Sequence, residues 1–331
     1  MKKKKIAFIC SKGLETFIEP IVQEFEKIET YHSRRYYVNS QQEIIAAVKW
    51  ADYVFLEWAN EIAVIATQIY DIKKKGVIVR LHSYESLVAM PTKIDWSVVD
   101  YLVFVAPHIR EILSLNIPDI RKRVCTKIIH NGIDIDNTQL NKELNPYNIA
   151  YVCNINHRKG SLLALQIMYE LIKINPGYKL HVAGKMQEKH YEIYMKHMAR
   201  EMGIADNILY YGFVDNMDEF WENKGAILST SIHEGHPVNI IEGMARGLQP
   251  VIHNFFGAKD LYPDHMVFNT VNEAIDLITR NPNPMHLFSI PEENLKGEYF
   301  RHVVIEKGWT RQNQIKQFVN LIRRLGRKTK K

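Results

Sequence analysis

Two glutamates eight positions apart, Glu234 and Glu242, are the acids in this chain whose spacing could do chemistry. They lie in the segment 229–247, Ser-Thr-Ser-Ile-His-Glu-Gly-His-Pro-Val-Asn-Ile-Ile-Glu-Gly-Met-Ala-Arg-Gly. The segment leaves an apolar strand, crosses a small polar loop and enters a helix with Pro237 at its first position. The helix is expected to end at Gly247, and Pro250 begins the next strand. A helix start presents free N–H groups and the positive end of a dipole, which suits phosphate. Glu242 stands about 7.5 Å along the axis from Pro237 at 1.5 Å per residue. Two carboxylates beside a phosphate site repel the ligand unless they bind hydroxyls. A diphosphate flanked by a ribose and a hexose, a nucleotide sugar, answers that pattern. On the residues alone, an ordinary surface loop and helix with two incidental acids stays open.

The elements that would position these groups follow a repeating rhythm. Ile6–Cys10, Tyr36–Val38, Tyr53–Leu56, Val77–Leu81, Tyr101–Val105 and Val124–Ile129 read as buried strands. Helical patterns lie between them at Phe17–Ile28, Glu43–Trp50 and Ile62–Lys74. The polar stretch Asn141–Asn148, with Pro146, reads as a linker. Then the rhythm restarts. Ile149–Cys153, Lys179–Ala183, Ile208–Tyr211, Ala226–Ser229 and Pro250–His253 read as strands; Ser161–Ile174, His190–Met202, Met217–Glu222 and Val238–Arg246 read as helices. Arg311–Leu325 is a last amphipathic helix, with Ile315, Phe318, Val319 and Ile322 at helical spacing. The fold class is α/β, with two doubly wound units and a cleft expected between them.

Composition narrows the classes. The 331 residues carry net charge +6, 46% apolar and 24% charged residues, as in a globular protein of two domains. Residues 2–5 are four lysines, and residues 323–331 hold six basic residues. Ten of the 43 basic residues thus sit at the ends, against 37 acids in the whole chain, so the body is mildly acidic. That argues against a nucleic-acid groove. The run Ile6–Cys10 is too short for a signal-peptide core, and no apolar run reaches membrane-spanning length. Cys10, Cys125 and Cys153 suggest neither disulfides nor zinc, so the cytoplasm is expected. Asp134-Ile135-Asp136 spells Asp-x-Asp, and His233-Glu234-Gly235-His236 looks like a zinc pair. The second lacks the i, i+4 spacing that puts two histidines on one helical face, and Pro237 follows at once. No glycine-rich dinucleotide or P-loop motif is present.

The segment 229–247 resembles the Glu-x7-Glu signature of the family 4 retaining glycosyltransferases of GT-B fold. Asn207–Val214, Asn-Ile-Leu-Tyr-Tyr-Gly-Phe-Val, is similar to the family's strand and turn beside the nucleobase. Lys179–Gly184 resembles the preceding strand and glycine. His130-Asn131-Gly132-Ile133-Asp134 looks like the Asn-Gly-Ile-Asp end of the first domain. Trp309-Thr310 opens what looks like the last helix, which crosses back onto that domain. The resemblance runs from about 77 to 325, strong over 150–262 and weak over 1–76.

The resemblance implies an acceptor-binding domain over 1–145, a nucleotide-sugar domain over 146–305 and a crossover helix with basic tail over 306–331. It implies catalytic roles for Glu234 on the sugar hydroxyls, Lys159 on the diphosphate and His82 at a strand end facing the donor sugar. A lone histidine is otherwise more often structural. Glu242 would bind the ribose. Arg158, Asn154, Gly184, Phe213, Val214, Gly235, His236, Pro237, Val238 and Asn239 complete the implied donor site. Family members usually carry Gly-Arg where this chain has Cys153-Asn154, so the phosphate-binding arginine is missing and Arg158 is the nearest substitute. The Lys159-Gly160 pair is kept. Asp134 and Asp136 fall in the domain-closing motif, which argues against a metal role.

The expected activity is transfer of a hexose, from a UDP-sugar rather than a GDP-sugar, to an acceptor hydroxyl with retention. No cofactor or essential metal is implied. The acceptor would be a glycan, a lipid-linked sugar or a protein, with the basic ends available to an anionic membrane. The alternatives are a GT-B nucleotide-sugar 2-epimerase and a non-catalytic polyanion binder.

Overall fold

The computed structural model describes residues 3–279 and 295–328. The chain forms two compact units, Met1–Asn131 with Gln312–Lys331, and Gly132–Arg311. The polar stretch 141–148 therefore lies within the second unit.

Among the described residues each unit is built on a six-stranded parallel sheet. The first contains β1 (Lys4–Ser11), β2 (Tyr31–Val38), β3 (Tyr53–Glu57), β4 (Gly76–Leu81), β5 (Tyr101–Phe104) and β6 (Cys125–Ile128), in the order β2-β1-β3-β4-β5-β6. The second contains β7 (Asn148–Val152), β8 (Lys179–Ala183), β9 (Ile208–Gly212), β10 (Ala226–Ser229), β11 (Gln249–His253) and β12 (Val267–Phe268), in the order β12-β11-β10-β7-β8-β9. The strands are near-continuous apolar runs because helices cover both faces of a parallel sheet. β3 and β4 are buried at every position. The order of strands reverses between β1 and β3 in one unit and between β7 and β10 in the other. Ligands of such sheets bind beyond the carboxyl ends of the strands at that reversal.

In the first unit the Phe8 ring packs 5.3 Å from Phe25 and 5.4 Å from Phe55. The last helix, Arg311–Lys328, completes this core. Its Phe318 is fully buried, 5.2 Å from Phe55, with Val319, Leu321, Ile322 and Leu325 beside it. The core of the second unit gathers Ile149, Tyr151, Leu180, Val182 and Leu228 from the strands and Ala164, Leu165 and Met168 from the helix Ser161–Ile174.

Several expected boundaries move for identifiable reasons. The stretch 62–74 is not one helix. Glu61–Thr67 is helical, Ile69 turns extended, and Tyr70–Lys74 forms a 3-10 turn. The Thr67 hydroxyl donates back to the carbonyls of Ala63 and Val64, which closes the helix locally. The helix expected from Phe17 starts at Glu19 and ends at Glu26, with Pro20 in its first turn, where a missing N–H costs nothing. Pro237 is not the first helical residue. It is the extended cap before Val238–Ala245, with φ −71° and ψ 112°. β12 and the helices Pro107–Asn116, Val271–Thr279 and Leu295–Glu306 were not expected. Of the basic ends, Lys2, Lys330 and Lys331 lie outside the described residues. No helix among the described residues is long and apolar enough to cross a membrane.

Candidate functional site

In the second unit, the loops after β7 and β10 flank the reversal of strand order. The β7 loop carries Arg158 and Lys159 in a 3-10 turn that ends at Gly160, whose φ is +62°. Only glycine fits here, because a Cβ would collide with the Thr230 carbonyl oxygen. The loops are stitched together at that point. Tyr151 donates its hydroxyl to the Lys159 carbonyl at 2.7 Å and lies 3.0 Å from the Thr230 hydroxyl, which itself donates to Lys159 O at 2.9 Å. Ile232 N donates to Arg158 O at 3.0 Å.

This scaffold brings Lys159 and Glu234 into an ion pair, in which Lys159 Nζ donates to Glu234 Oε1. The side chains are 14% and 10% exposed. Burial by itself pushes the Glu234 carboxyl up. The Lys159 ammonium, a Ser231 hydrogen bond and Arg158 override it and hold the carboxyl below its ordinary value. Cys153, at the end of β7, is pushed up to about 12 by burial, so its thiol is a neutral wall and not a nucleophile.

The helix Val238–Ala245 begins after Pro237 with no side chain capping its first amides. Those N–H groups point out of the helix start beside the same loops. Asn239 anchors the end by donating to Val152 O at 2.7 Å, so its amide is engaged in holding the helix to β7. Glu242 lies one turn on. Burial raises its carboxyl, partly offset by Arg246 and Arg311. Gly235, His236 and Pro237 are buried, and the His236 ring packs 4.8 Å from Trp309 in an edge contact. His236 is therefore built into an aromatic wall.

The remaining expected donor residues lie on the β7 and β8 to β9 side. Gly184, at φ +140°, approaches the Cys153 carbonyl so closely that a Cβ would collide with it. Asn154 is exposed, and its Oδ1 accepts from Lys185 N at 3.1 Å. The Phe213 ring is 63% exposed, with Lys185 Nζ 5.0 Å from its centroid, and Val214 follows it. Asp134 spends its carboxylate on a local turn with Asn137.

His82 belongs to the first unit, one residue past β4. Its Nε2 lies 2.6 Å from Glu57 Oε1, and the same oxygen accepts from Arg80 Nη1 at 3.0 Å. Sequence reading passed over Glu57. The signal was available, because Glu57 is an acid on the last position of an otherwise apolar strand and is fully buried.

Residues 133–277 match the family model described as glycosyl transferases group 1. A stretch of 146 residues is 29% identical to the lipopolysaccharide core biosynthesis mannosyltransferase LpsB of Rhizobium meliloti strain 1021. It covers 40% of this chain and 41% of that protein, so the chain spans about two fifths of the curated relative it matches. Among solved structures, a glycosyltransferase from Rickettsia africae superposes over 98% of this chain and 99% of its own, with TM-score 0.73 and 13% identity. Anabaena HepE in complex with UDP-glucose gives TM-score 0.73 at 12% identity over 96% and 99%. The lipopolysaccharide outer core galactosyltransferase WaaB, in its apo form, gives 0.65 at 15% over 96% and 99%. The fold is the two-sheet α/β architecture of GT-B glycosyltransferases.

Proposed function

We propose that the chain moves a hexose from a UDP-sugar to an acceptor hydroxyl, with retention of configuration, in the synthesis of a cell-surface glycan. One observation carries the reading. A buried lysine–glutamate pair and an uncapped helix start meet at the strand-order reversal of a group 1 domain. Lys159 and the first amides of Val238–Ala245 neutralise the diphosphate, with Arg158 beside them. Glu234 binds hydroxyls of the sugar near the reacting carbon, and Glu242 binds the ribose. Phe213 and Val214 flank the nucleobase. The first unit binds the acceptor, and His82, one residue past its β4, meets a sugar hydroxyl there.

In the reaction, the bond from the sugar anomeric carbon to the phosphate oxygen breaks and a bond to the acceptor oxygen forms. The acceptor proton passes to the departing diphosphate. Attack on the face that the diphosphate leaves retains the configuration and needs no enzymic nucleophile. The charge on the leaving group is met by Lys159, Arg158 and helix amides, so the reading assigns no metal.

We also place the enzyme at an anionic membrane, on the cytoplasmic side. Lys4 and Lys5 of β1 register with Tyr31 and His32 of β2, and Arg323 of the last helix hydrogen-bonds Tyr31. Lys4, Lys5 and Arg323 are thus gathered at the start of β1 and β2. Each lysine or arginine near such a surface contributes about 1 kcal/mol.

Thermal shift against UDP- and GDP-sugars, followed by nucleotide release with and without acceptor, tests the activity. A UDP-sugar is expected to raise the melting temperature, and release is expected to need acceptor. Donor conversion without acceptor, or no stabilisation by any nucleotide sugar, overturns it. Salt-sensitive pelleting with anionic liposomes, reduced by removing residues 2–5 and 323–331, tests the membrane reading; equal pelleting refutes it.

A further inference from the structure

His82, at the carboxyl ends of the first sheet, is held from several sides. Four separate devices act on it. Glu57 meets its Nε2 at 2.6 Å. Glu85 Oε1 accepts from its backbone N–H at 3.4 Å and from Ala59 N at 3.0 Å. Trp58 stacks on one ring face at 4.1 Å and 30°, and Phe17 packs on the ring at 4.8 Å. Trp58 does so from a backbone φ of +74°. That region costs a bulky residue about 1–3 kcal/mol and persists where the surroundings over-determine it. The Trp58 indole N–H is tied to Leu14 O at 3.2 Å, so the loop after β1 holds the stack in place.

A structural ion pair would need none of this. Glu57 already has a full cationic partner in Arg80, whose Nη2 is fixed by Asn131 Oδ1 at 2.6 Å. The imidazole is thus not required for charge balance. The surrounding titratable groups agree. Burial raises the Glu57 carboxyl, but Arg80 and His82 pull it below its ordinary value, so it stays ionised and accepts. Burial pushes Glu85 up and the Cys10 thiol up to about 12, so the thiol places no competing negative charge on the ring at neutral pH. An ionised Glu57 carboxylate can only accept, so Nε2 carries a proton. Nδ1 makes no hydrogen bond among the described residues.

We propose that Glu57 is a positioning residue that holds His82 in the Nε2–H tautomer and leaves Nδ1 to accept a hydrogen bond from a substrate hydroxyl at the carboxyl ends of the first sheet. The inference rests on the reading of His82 given above for the substrate, but the tautomer does not depend on it. A carboxylate that sets the tautomer of a working histidine acts on rate through geometry, without touching substrate.

The test uses the full chain labelled with 15N-histidine. Long-range 15N–1H correlation identifies His82 by the signal lost in His82→Gln. The wild type is expected to show His82 as Nε2–H, and Glu57→Gln is expected to move it to a mixture of tautomers. In nucleotide release, Glu57→Gln is expected to lower kcat about tenfold or more with the donor KM within about twofold. An Nδ1–H tautomer in the wild type overturns the proposal, whether or not Glu57→Gln folds. So does an Nε2–H signal and kcat that Glu57→Gln leaves unchanged. If the wild type turns over no nucleotide sugar, the functional reading fails and the wild-type tautomer still decides the role of Glu57.

Discussion

Lys159 and Glu234 are paired with each other, although the proposed chemistry gives them different partners, the diphosphate and the sugar. Their 75-residue separation is closed by the Tyr151–Thr230 stitch between two loops. The pair keeps two charges neutralised at a buried place. A diphosphate must draw Lys159 off Glu234, and the sugar hydroxyls must then satisfy Glu234 in its stead. A nucleoside diphosphate without its sugar frees the acid and gives it nothing.

Glu234→Gln is therefore expected to tighten UDP binding while abolishing transfer. Removing the competing charge should lower the UDP Kd about fivefold, or about 1 kcal/mol. Transfer should fall at least about a hundredfold, as for loss of a preorganised group at the reacting centre. Titration calorimetry with UDP and a nucleotide-release assay read the two effects. Weaker UDP binding would show that the pair does not compete with diphosphate.

Lys159→Ala should cost more stability than Glu234→Gln. It leaves the less exposed carboxylate alone, whereas Glu234→Gln leaves the more exposed Lys159 ammonium with an amide oxygen to bond. Breaking a fully buried pair costs about 3–5 kcal/mol, and the partial exposure here reduces that. The double variant Lys159→Met with Glu234→Gln should recover most of the loss. Urea unfolding of the three variants measures it.

Glu242 prefers its proton in the folded chain, because burial raises its carboxyl. Folding takes up a proton between the ordinary carboxylate value and the raised one. Its contribution to stability therefore falls as pH climbs through that window, the opposite of the Glu234 contribution, which is lost as pH drops. Glu242→Gln should flatten the first slope. Urea midpoints across the acidic range, compared with the parent chain, give the answer.

Gly184→Ala should lower stability by more than the about 1–3 kcal/mol of a strained backbone, because the new Cβ also strikes the Cys153 carbonyl. Gly203→Ala is the control, with φ +70° but nothing within 4 Å of its Cβ. A thermal melt of each separates strain from collision.

The two-unit rhythm and the strands of the second unit were legible because buried parallel strands are continuous apolar runs. Ala226–Ser229 and Lys179–Ala183 were read to the residue. β2 was read only at Tyr36–Val38, because its first half, Tyr-His-Ser-Arg-Arg, lies at the sheet edge with polar side chains and shows no apolar run. The pairing of Lys159 with Glu234 joins loops far apart in sequence, and no local pattern encodes it. The engagement of Asn154 and Asn239 with backbone was equally hidden, since a motif names a residue type and not its hydrogen-bond partner. Glu57 escaped because its meaning comes from two residues of the neighbouring strand region, Arg80 and His82.

The last helix has a consequence for synthesis. Phe318, Ile322 and Leu325 fill a core whose other walls are made before residue 131, yet the 180 residues of the second unit are translated in between. At about 5–20 residues per second, translating those 180 residues alone leaves the first core without its last helix for roughly 9 to 36 s. The second unit, though later in the chain, is closed by its own residues and can finish first. A nascent chain stalled before residue 312 would present a completed second unit and a first unit that still exposes apolar surface, the form open to chaperone capture.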